Sequence, residues 1–149
     1  MHRLAEGESL VLGGVTVPSP LGTVAHSDGD VMFHALVDAL LGALALGDIG
    51  EHFPDTDPKW KGAPSSAFVE HAVRLIAEHN CYIVNIDCTL VLESPKILPF
   101  KMEMRQNIAT LCGLSIDRVA VKATTSERIG YVGRKEGVHA YVICEVQPR

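Results

Sequence analysis

Residues 26–57 constrain the fold and the chemistry of this chain more than any other segment. They read HSDGDVMFHALVDALLGALALGDIGEHFPDTD, and three His and seven Asp or Glu surround an apolar helical stretch. Burying imidazoles and carboxylates at this density costs free energy unless they bind each other or a ligand. The segment therefore predicts a buried helix that carries a site for a metal ion and for the oxygens of a polar substrate.

The apolar part of this segment predicts a helix from about Ser27 to Leu46, largely buried because apolar residues occupy most of its sides. Ser27 is expected as the N-cap, with Asp30 three residues on as in a capping box, and Gly47 as the stop. Residues 47–63 are rich in Gly, Pro and Asp without periodicity, which predicts a long functional loop.

Apolar periodicity predicts the remaining elements. The first is a strand over residues 10–17, with a turn at Gly13 and Gly14. A helix over 65–79 follows, with Pro64 at N1, and then a strand over 82–92, a helix over 100–112 and strands over 119–125 and 138–146. In strand 82–92 the even-numbered residues, Tyr82 included, are expected on one apolar face, and the other face is expected to pack against another subunit. Strands that alternate with helices predict one α+β domain over residues 1–149, an α/β sandwich with a mixed sheet and helices on one face.

Composition and charge narrow the range of partners. The net charge of −5 argues against general affinity for nucleic acid. The longest apolar stretch, Ala39–Gly47, is too short to cross a bilayer, so no membrane partner is expected. The four Cys form no CxxC pair and are interpreted as buried thiols in a reducing compartment.

A candidate metal site begins with the residues that recur every four positions, namely His26, Asp30, His34 and Asp38. His26 and His34 would lie about 12 Å apart along a helix axis, too far to share one ion. His34 therefore needs a partner from elsewhere, and His2 is the best candidate. Asp38 either orients the His34 ring as a hydrogen-bond acceptor or simply solvates the helix surface.

Phosphate contacts are expected at the helix start and in two loops. His26 and Ser27 are candidates because free N–H groups at a helix N-terminus favour anions, unless Ser27 only caps and His26 only packs. The later loops offer a Lys at 96, hydroxyls at 124–126, a carboxylate for a hard cation at Glu127 and a guanidinium at Arg134. The carboxylates at 48, 55 and 57 either bind hydroxyls or cations or only form turns. No GxxxxGK[ST] or GxSxG motif is present, so we expect phosphoryl chemistry without a covalent nucleophile.

Four segments of the chain carry a resemblance to a known family. The segments AHSDGDVMFHALVDALLGALALGDIGEHFPDTDPKWKG, SPKILP, VKATTSERIGYVGRKEG and HRLAEGESLVLGG closely resemble the 2-C-methyl-D-erythritol 2,4-cyclodiphosphate synthase family, in its order and spacing. The resemblance covers nearly the whole chain. It implies a phosphorus–oxygen lyase of non-mevalonate isoprenoid (terpenoid) synthesis, which converts 4-diphosphocytidyl-2-C-methyl-D-erythritol 2-phosphate to the 2,4-cyclodiphosphate and CMP. It also implies a homotrimer with active sites between subunits, in a bacterial cytoplasm or a plastid-type compartment.

The resemblance also implies roles for individual residues. His2 and His34 would bind Zn²⁺ or another divalent cation, and Glu127 would bind Mg²⁺ or Mn²⁺ at the diphosphate. His26 and Thr125 would stabilise the transition state. Substrate contacts would come from three groups. The phosphate and the methylerythritol would be contacted by Ser27, Asp48, Ile49, Gly50, Phe53, Pro54, Asp55, Thr56 and Asp57. The cytidine diphosphate would be contacted by Ser94, Pro95, Lys96, Ile97 and Leu98 of the neighbouring subunit, and the third group, beside Thr125, is Thr124, Ser126, Tyr131 and Arg134.

One departure from the family concerns the start of the chain. Family members begin with a strand that ends in Asp-x-His, and the Asp is a zinc ligand. Here His2 matches the His, and the Asp would fall just before Met1. We therefore expect a truncated N-terminal strand, the other reading being an inactive variant. Two alternatives to the cyclase stay open: a metal-dependent phosphohydrolase, and a trimeric scaffold or isoprenoid-phosphate binding protein without turnover.

Overall fold

The computed structural model describes residues 1–149 as one sheet of five strands, a small hairpin and helices. The strands are β1 (His2–Glu6), β2 (Val11–Leu12), β3 (Val15–Thr16), β4 (Leu21–Val24), β5 (Cys81–Val91), β6 (Val119–Thr124) and β7 (Gly137–Pro148). The helices are α1 (Val31–Ala43), α2 (Ile49–His52), α3 (Ser65–Glu78), α4 (Lys101–Cys112) and α5 (Gly130–Gly133), with short 3₁₀ turns at 58–60, 98–100 and 116–118.

The sheet is mixed, as predicted. Its strand order is β4-β1-β7-β5-β6, with β5 and β6 parallel and the other neighbours antiparallel. The three long helices pack on one face of the sheet, and a single apolar core of 29 buried residues fills the space between them. The opposite face carries exposed apolar side chains such as Tyr141 and Ile143, which are 63% and 73% exposed. No helix has the length and apolar character that a membrane span requires.

The prediction that Tyr82 lies on the inner face of its strand is wrong. The pairing of β5 with β7 shifts register between Ile83 and Asn85, so a β-bulge changes which side chains point inward. Ile83 and Ile86 are buried, whereas Tyr82 is 41% exposed. Beyond the bulge, the predicted alternation holds.

The predicted ends of the first long helix are also wrong. The N-cap of α1 is Asp30 rather than Ser27, and its carboxylate accepts hydrogen bonds from the N–H groups of Met32 and Phe33. Gly29 has a φ of +73°, a conformation that no helix contains. His26 and Ser27 therefore precede the helix as loop residues rather than starting it. The helix ends at Ala43 instead of Leu46, and Ala45 has a positive φ of 55°.

The other boundaries lie close to the predicted ones, with four differences. Segment 10–17 is a two-stranded hairpin closed by the predicted Gly13–Gly14 turn. Pro64 is the N-cap of α3 rather than its first residue. The long loop 47–63 contains the short helix α2 and a 3₁₀ turn at Pro58–Trp60. The strand Leu21–Val24 was not predicted from the sequence.

Candidate active site

Two imidazoles meet in the cleft between β1 and α1. His2 lies at the start of β1, opposite Val138 of β7, and His34 lies in the first turn of α1. His2 Nε2 and His34 Nδ1 are 2.8 Å apart, and the rings stand at 82° to each other. Burial is the main cause that lowers the pKa of both rings to about 4; the positive charge of the amino terminus acts in the same direction on both rings, and the charge of His2 does so on His34. Both imidazoles are therefore neutral at pH 7, the form that ligates cations.

The other nitrogen of His34 faces hydroxyl groups. His34 Nε2 lies 2.8 Å from Ser65 Oγ and 3.1 Å from Ser27 Oγ. Ser65 is fully buried at the start of α3, and both its N–H group and its hydroxyl donate to the Asp28 carboxylate. The sequence pattern gave Ser65 no role beyond the start of a helix, because only the packing of α3 against α1 brings it to His34.

Asp38 does not contact His34; it is exposed on the helix surface, as the second predicted alternative had it, and it makes one further contact. Its Oδ1 accepts a hydrogen bond of 2.8 Å from the N–H group of Ile49. This N–H group is unpaired within α2 because it belongs to the first residue of that helix. Asp38 therefore holds α2 beside α1.

A cleft of about 530 Å³ opens beside the paired imidazoles. It brings together ten of the predicted residues, namely His2, His26, Ser27, His34, Ile49, Gly50, Phe53, Pro54, Asp55 and Thr56. Trp60 and Phe68, which the sequence did not single out, also line it, and both pack against Phe53 with ring centres 4.9 and 4.4 Å away. The cleft thus has an apolar aromatic wall on one side and polar groups on the other.

Asp48 and Asp57 lie at the borders of this cleft and cap short helices. The Asp48 carboxylate accepts from the N–H group of Glu51 in α2, and the Asp57 carboxylate accepts from that of Lys59. For Asp57 this is the turn-forming role that was one of its two predicted alternatives. Their binding roles stay predictions.

A second cleft, of about 340 Å³, lies between the segment after β5 and the end of β6. Six predicted residues line it, namely Pro95, Lys96, Ile97, Leu98, Thr124 and Thr125, and Ser94 directly precedes them. Lys101 and Lys122 add two further ammonium groups to its wall. Lys122 is paired with Asp87 at 2.6 Å, and Glu93 adds one carboxylate to the wall, so Lys96 and Lys101 are the cations that an anionic ligand could use here.

Glu93, which sequence reasoning missed, joins the two segments of the second cleft. Its Oε1 accepts hydrogen bonds from the Ser126 N–H and hydroxyl, each 2.9 Å long, and from the Arg128 N–H at 3.3 Å. These hydrogen bonds, the Ser126 hydroxyl first, lower the pKa of Glu93. Glu127 and Arg128 both have positive φ values of 54° and 63°, so Glu93 stabilises a strained turn.

The remaining predicted residues lie beyond this turn. The Glu127 carboxylate is exposed, and Ser126 is held by Glu93. The Tyr131 hydroxyl contacts His139 Nδ1. Arg134 forms two contacts with the Glu136 carboxylate, 2.9 and 3.1 Å long, so a phosphate would have to compete with that carboxylate.

Within one chain, the residues predicted to form one active site lie in two separate clefts. The two clefts share no lining residue. No three His, Cys, Asp or Glu side chains cluster as a metal site anywhere in residues 1–149. The paired imidazoles nevertheless fit a divalent cation, because neutral nitrogens that face each other are two of the ligands that Zn²⁺ prefers. The four Cys are free thiols; Cys81, Cys88 and Cys112 are buried as predicted, whereas Cys144 is only half-buried.

The fold and this site together define an α+β protein with paired imidazoles at a polar cleft. The chain belongs to the YgbB family, whose model matches residues 1–147. The 2-C-methyl-D-erythritol 2,4-cyclodiphosphate synthase of Chlorobaculum tepidum is 52% identical over 147 residues, which are 99% of this chain and 94% of that protein.

Two solved structures share the fold. The bifunctional IspDF from Campylobacter jejuni is 42% identical with a TM-score of 0.95, over 99% of this chain and 40% of the longer one. A CDP-bound 2C-methyl-D-erythritol-2,4-cyclodiphosphate synthase is 40% identical with a TM-score of 0.90, over 98% of this chain and 95% of that one. The sheet with helices on one face is thus the fold of this family.

Proposed function

We propose that this protein is a 2-C-methyl-D-erythritol 2,4-cyclodiphosphate synthase of non-mevalonate isoprenoid synthesis. The observation that carries the proposal is the pair of neutral imidazoles, His2 and His34, whose nitrogens face each other 2.8 Å apart beside a polar cleft. The family membership and the names of full-length relatives support the same activity.

The reaction is an intramolecular phosphoryl transfer. An oxygen of the 2-phosphate of 4-diphosphocytidyl-2-C-methyl-D-erythritol 2-phosphate attacks the β-phosphorus. The bond from that phosphorus to the oxygen of CMP breaks, so the cyclodiphosphate and CMP leave in equal amounts. The chain needs no covalent nucleophile, because holding the two phosphates together and neutralising their charge lowers the barrier.

His2 Nε2 and His34 Nδ1 would hold Zn²⁺ or another divalent cation, and the Glu127 carboxylate would hold Mg²⁺ or Mn²⁺ at the diphosphate. When bound, these cations supply electrostatic stabilisation of the negative charge on the phosphate oxygens. The lowered pKa of both imidazoles supports the first assignment. The exposed carboxylate of Glu127 is the oxygen ligand that the second cation prefers.

The chain's own residues would bind and orient the substrate. The cleft beside the imidazoles would hold the methylerythritol, with Asp48 and Gly50 at its hydroxyls and Phe53–Asp57 along its wall. His26 and Thr125 would stabilise the transition state, with Ser27 nearby. Segment 94–98 with Lys96 would receive the cytidine diphosphate. The nearby segment with Thr124, Ser126, Tyr131 and Arg134 would contact its phosphates.

The active site would form between subunits of a homotrimer. The separation of the two clefts supports this assembly, since one substrate must reach residues of both. The exposed Tyr141 and Ile143 on the open sheet face supply apolar surface for the subunit contact. The bacterial source of the relatives favours a bacterial cytoplasm over a plastid-type compartment.

The test is to incubate the protein with 4-diphosphocytidyl-2-C-methyl-D-erythritol 2-phosphate and to follow the products by ³¹P NMR and nucleotide chromatography. We expect a cyclic diphosphate and an equal amount of CMP, no product after chelation, and recovery on adding Zn²⁺ and Mg²⁺. Linear phosphates would instead indicate a phosphohydrolase. Binding of the substrate without turnover would indicate a scaffold or carrier. Either result would overturn the proposal.

A further inference from the structure

Three side chains form a continuous hydrogen-bonded series behind the cleft. The Asp28 carboxylate accepts from the Ser65 hydroxyl, and Ser65 Oγ lies 2.8 Å from His34 Nε2. The opposite nitrogen of the same ring, Nδ1, faces His2. Ser65 is fully buried, so no bulk water competes for its hydroxyl.

The number of hydrogens available fixes which group donates and which accepts in this series. An ionised carboxylate only accepts, and a serine hydroxyl has one hydrogen to donate. The Ser65 hydrogen is therefore used on Asp28, and Ser65 Oγ can only accept from His34. The hydrogen between them must be the Nε2–H of the imidazole. A neutral imidazole with Nε2–H carries a lone pair on Nδ1, which is the atom that faces His2.

We propose that Ser65, oriented by Asp28, is a positioning residue that fixes His34 as the Nε2–H tautomer and presents its Nδ1 lone pair as a ligand for a divalent cation. The cation part rests on the proposed function, whereas the tautomer part does not. Groups that orient a ligating histidine in this way tune cation affinity substantially.

A purely structural role for Asp28 accounts for only part of this geometry. Asp28 Oδ2 accepts from the Ser65 N–H at 2.9 Å, and this bond caps α3, because Pro64 has no side-chain cap to offer. The capping bond is donated by the main-chain N–H of Ser65, so it would remain if the Ser65 hydroxyl were removed. The hydroxyl contact to Nε2 is additional, so a variant without it separates the two roles.

Ser27 supplies a second, longer contact to the same nitrogen. Its Oγ lies 3.1 Å from His34 Nε2 and accepts from the Gly29 N–H at 3.3 Å. Ser27 can also donate its own hydrogen to an unprotonated Nε2, so it is compatible with either tautomer. Ser65 therefore decides which tautomer forms.

The direct experiment records long-range ¹H–¹⁵N spectra of the full chain at pH 7 after chelation. We expect His34 to carry its hydrogen on Nε2 and none on Nδ1. A His34 ring with the hydrogen on Nδ1 would overturn the proposal. This experiment contains no cation, so its result does not depend on the proposed function. A protein that shows the Nε2–H tautomer but binds no Zn²⁺ would count against the proposed function and leave the tautomer assignment intact.

A variant tests the consequence for cation affinity. In Ser65→Ala we expect a mixture of His34 tautomers and a Zn²⁺ affinity lowered about 10- to 100-fold in competition titrations. Ser66→Ala is the matched control, because Ser66 is the next residue of α3 and makes no hydrogen bond to His34, and it should bind Zn²⁺ as the parent does. An unchanged Nε2–H tautomer and unchanged affinity in Ser65→Ala would overturn the proposal.

Discussion

Replacing Asp30 should destabilise the fold more than replacing any exposed carboxylate. One buried carboxylate accepts four N–H groups: Oδ1 accepts from Gly13, Met32 and Phe33, and Oδ2 accepts from Gly14 at 2.6 Å. It thus caps α1 and ties the helix to the β2–β3 turn at once. Through its main-chain oxygen, Asp30 also accepts from the N–H of His34.

The magnitude follows from these bonds. Asp30→Ala removes a helix cap, which costs about 1 kcal/mol. It also leaves the buried Gly13 N–H without an acceptor, which costs about 1–3 kcal/mol, and breaks the Gly14 bond, which costs about 1 kcal/mol. We expect a loss of about 4 kcal/mol in the free energy of unfolding, measured by urea denaturation at pH 7.

Asp30→Asn should cost less than Asp30→Ala. Its amide oxygen can keep the three N–H groups now on Oδ1, but its NH2 group would then face the Gly14 N–H, donor against donor, so this hydrogen bond is lost and both donors lack an acceptor. Burial raises the pKa of Asp30 to about 6, so the carboxylate carries a desolvation cost that the amide lacks. We expect a loss of about 2 kcal/mol, which is smaller than for Asp30→Ala because the helix cap and the Gly13 hydrogen bond are kept. The exposed Asp117→Asn serves as control, at about 0.5 kcal/mol or less. An Asp30→Ala variant no less stable than Asp30→Asn would refute this reasoning.

Three further predictions concern the site. Asp38→Ala removes the acceptor of the Ile49 N–H, so we expect KM for the substrate to rise about fivefold with little change in kcat, in steady-state assays. Glu93→Ala removes the acceptor of the Ser126 and Arg128 N–H groups in the turn that follows Thr125. Hydrogen exchange of these two amides should therefore accelerate more in Glu93→Ala than in Glu93→Gln. Because the pKa values of His2 and His34 are about 4 in the folded protein against about 6.5 in the unfolded chain, the unfolded chain gains protons first as pH falls. The free energy of unfolding should therefore fall between pH 6.5 and 4, by at most about 1.4 kcal/mol per pH unit and ring.

Each of these predictions has a contradicting result. For Asp38, it is a fall in kcat without a change in KM. For Glu93, it is equal exchange in parent, Gln and Ala variants. For the imidazoles, it is a His34→Gln variant that keeps the full pH slope of the parent, since that variant lacks one of the two titrating rings.

Much of the fold could be predicted because apolar periodicity is local information. The core positions of β5 beyond its bulge and of α4 repeat at the spacing of a strand and a helix. The start of α1 could not be resolved in this way, because Ser27 and Asp30 are both good N-caps and only the contacts with Gly13 and Gly14 favour the second. The bulge in β5 depends on its pairing with β7, which the local pattern does not encode.

The candidate site was predictable where its chemistry lies in motifs. The meeting of His2 and His34 followed from the argument that His34 needs a partner outside its own helix. The contacts of Asp38, Ser65 and Glu93 were missed, because their partners are main-chain N–H groups or rings on other elements. Such contacts arise only when the elements pack, and neither spacing nor residue type reveals them.

The most direct test of the central claim is an anomalous diffraction map from crystals grown with Zn²⁺ and CDP. The account predicts a zinc peak at about 2.0–2.1 Å from both His2 Nε2 and His34 Nδ1, with CDP against the segment that contains Lys96. A zinc peak elsewhere, with the two rings still hydrogen-bonded to each other, would contradict it.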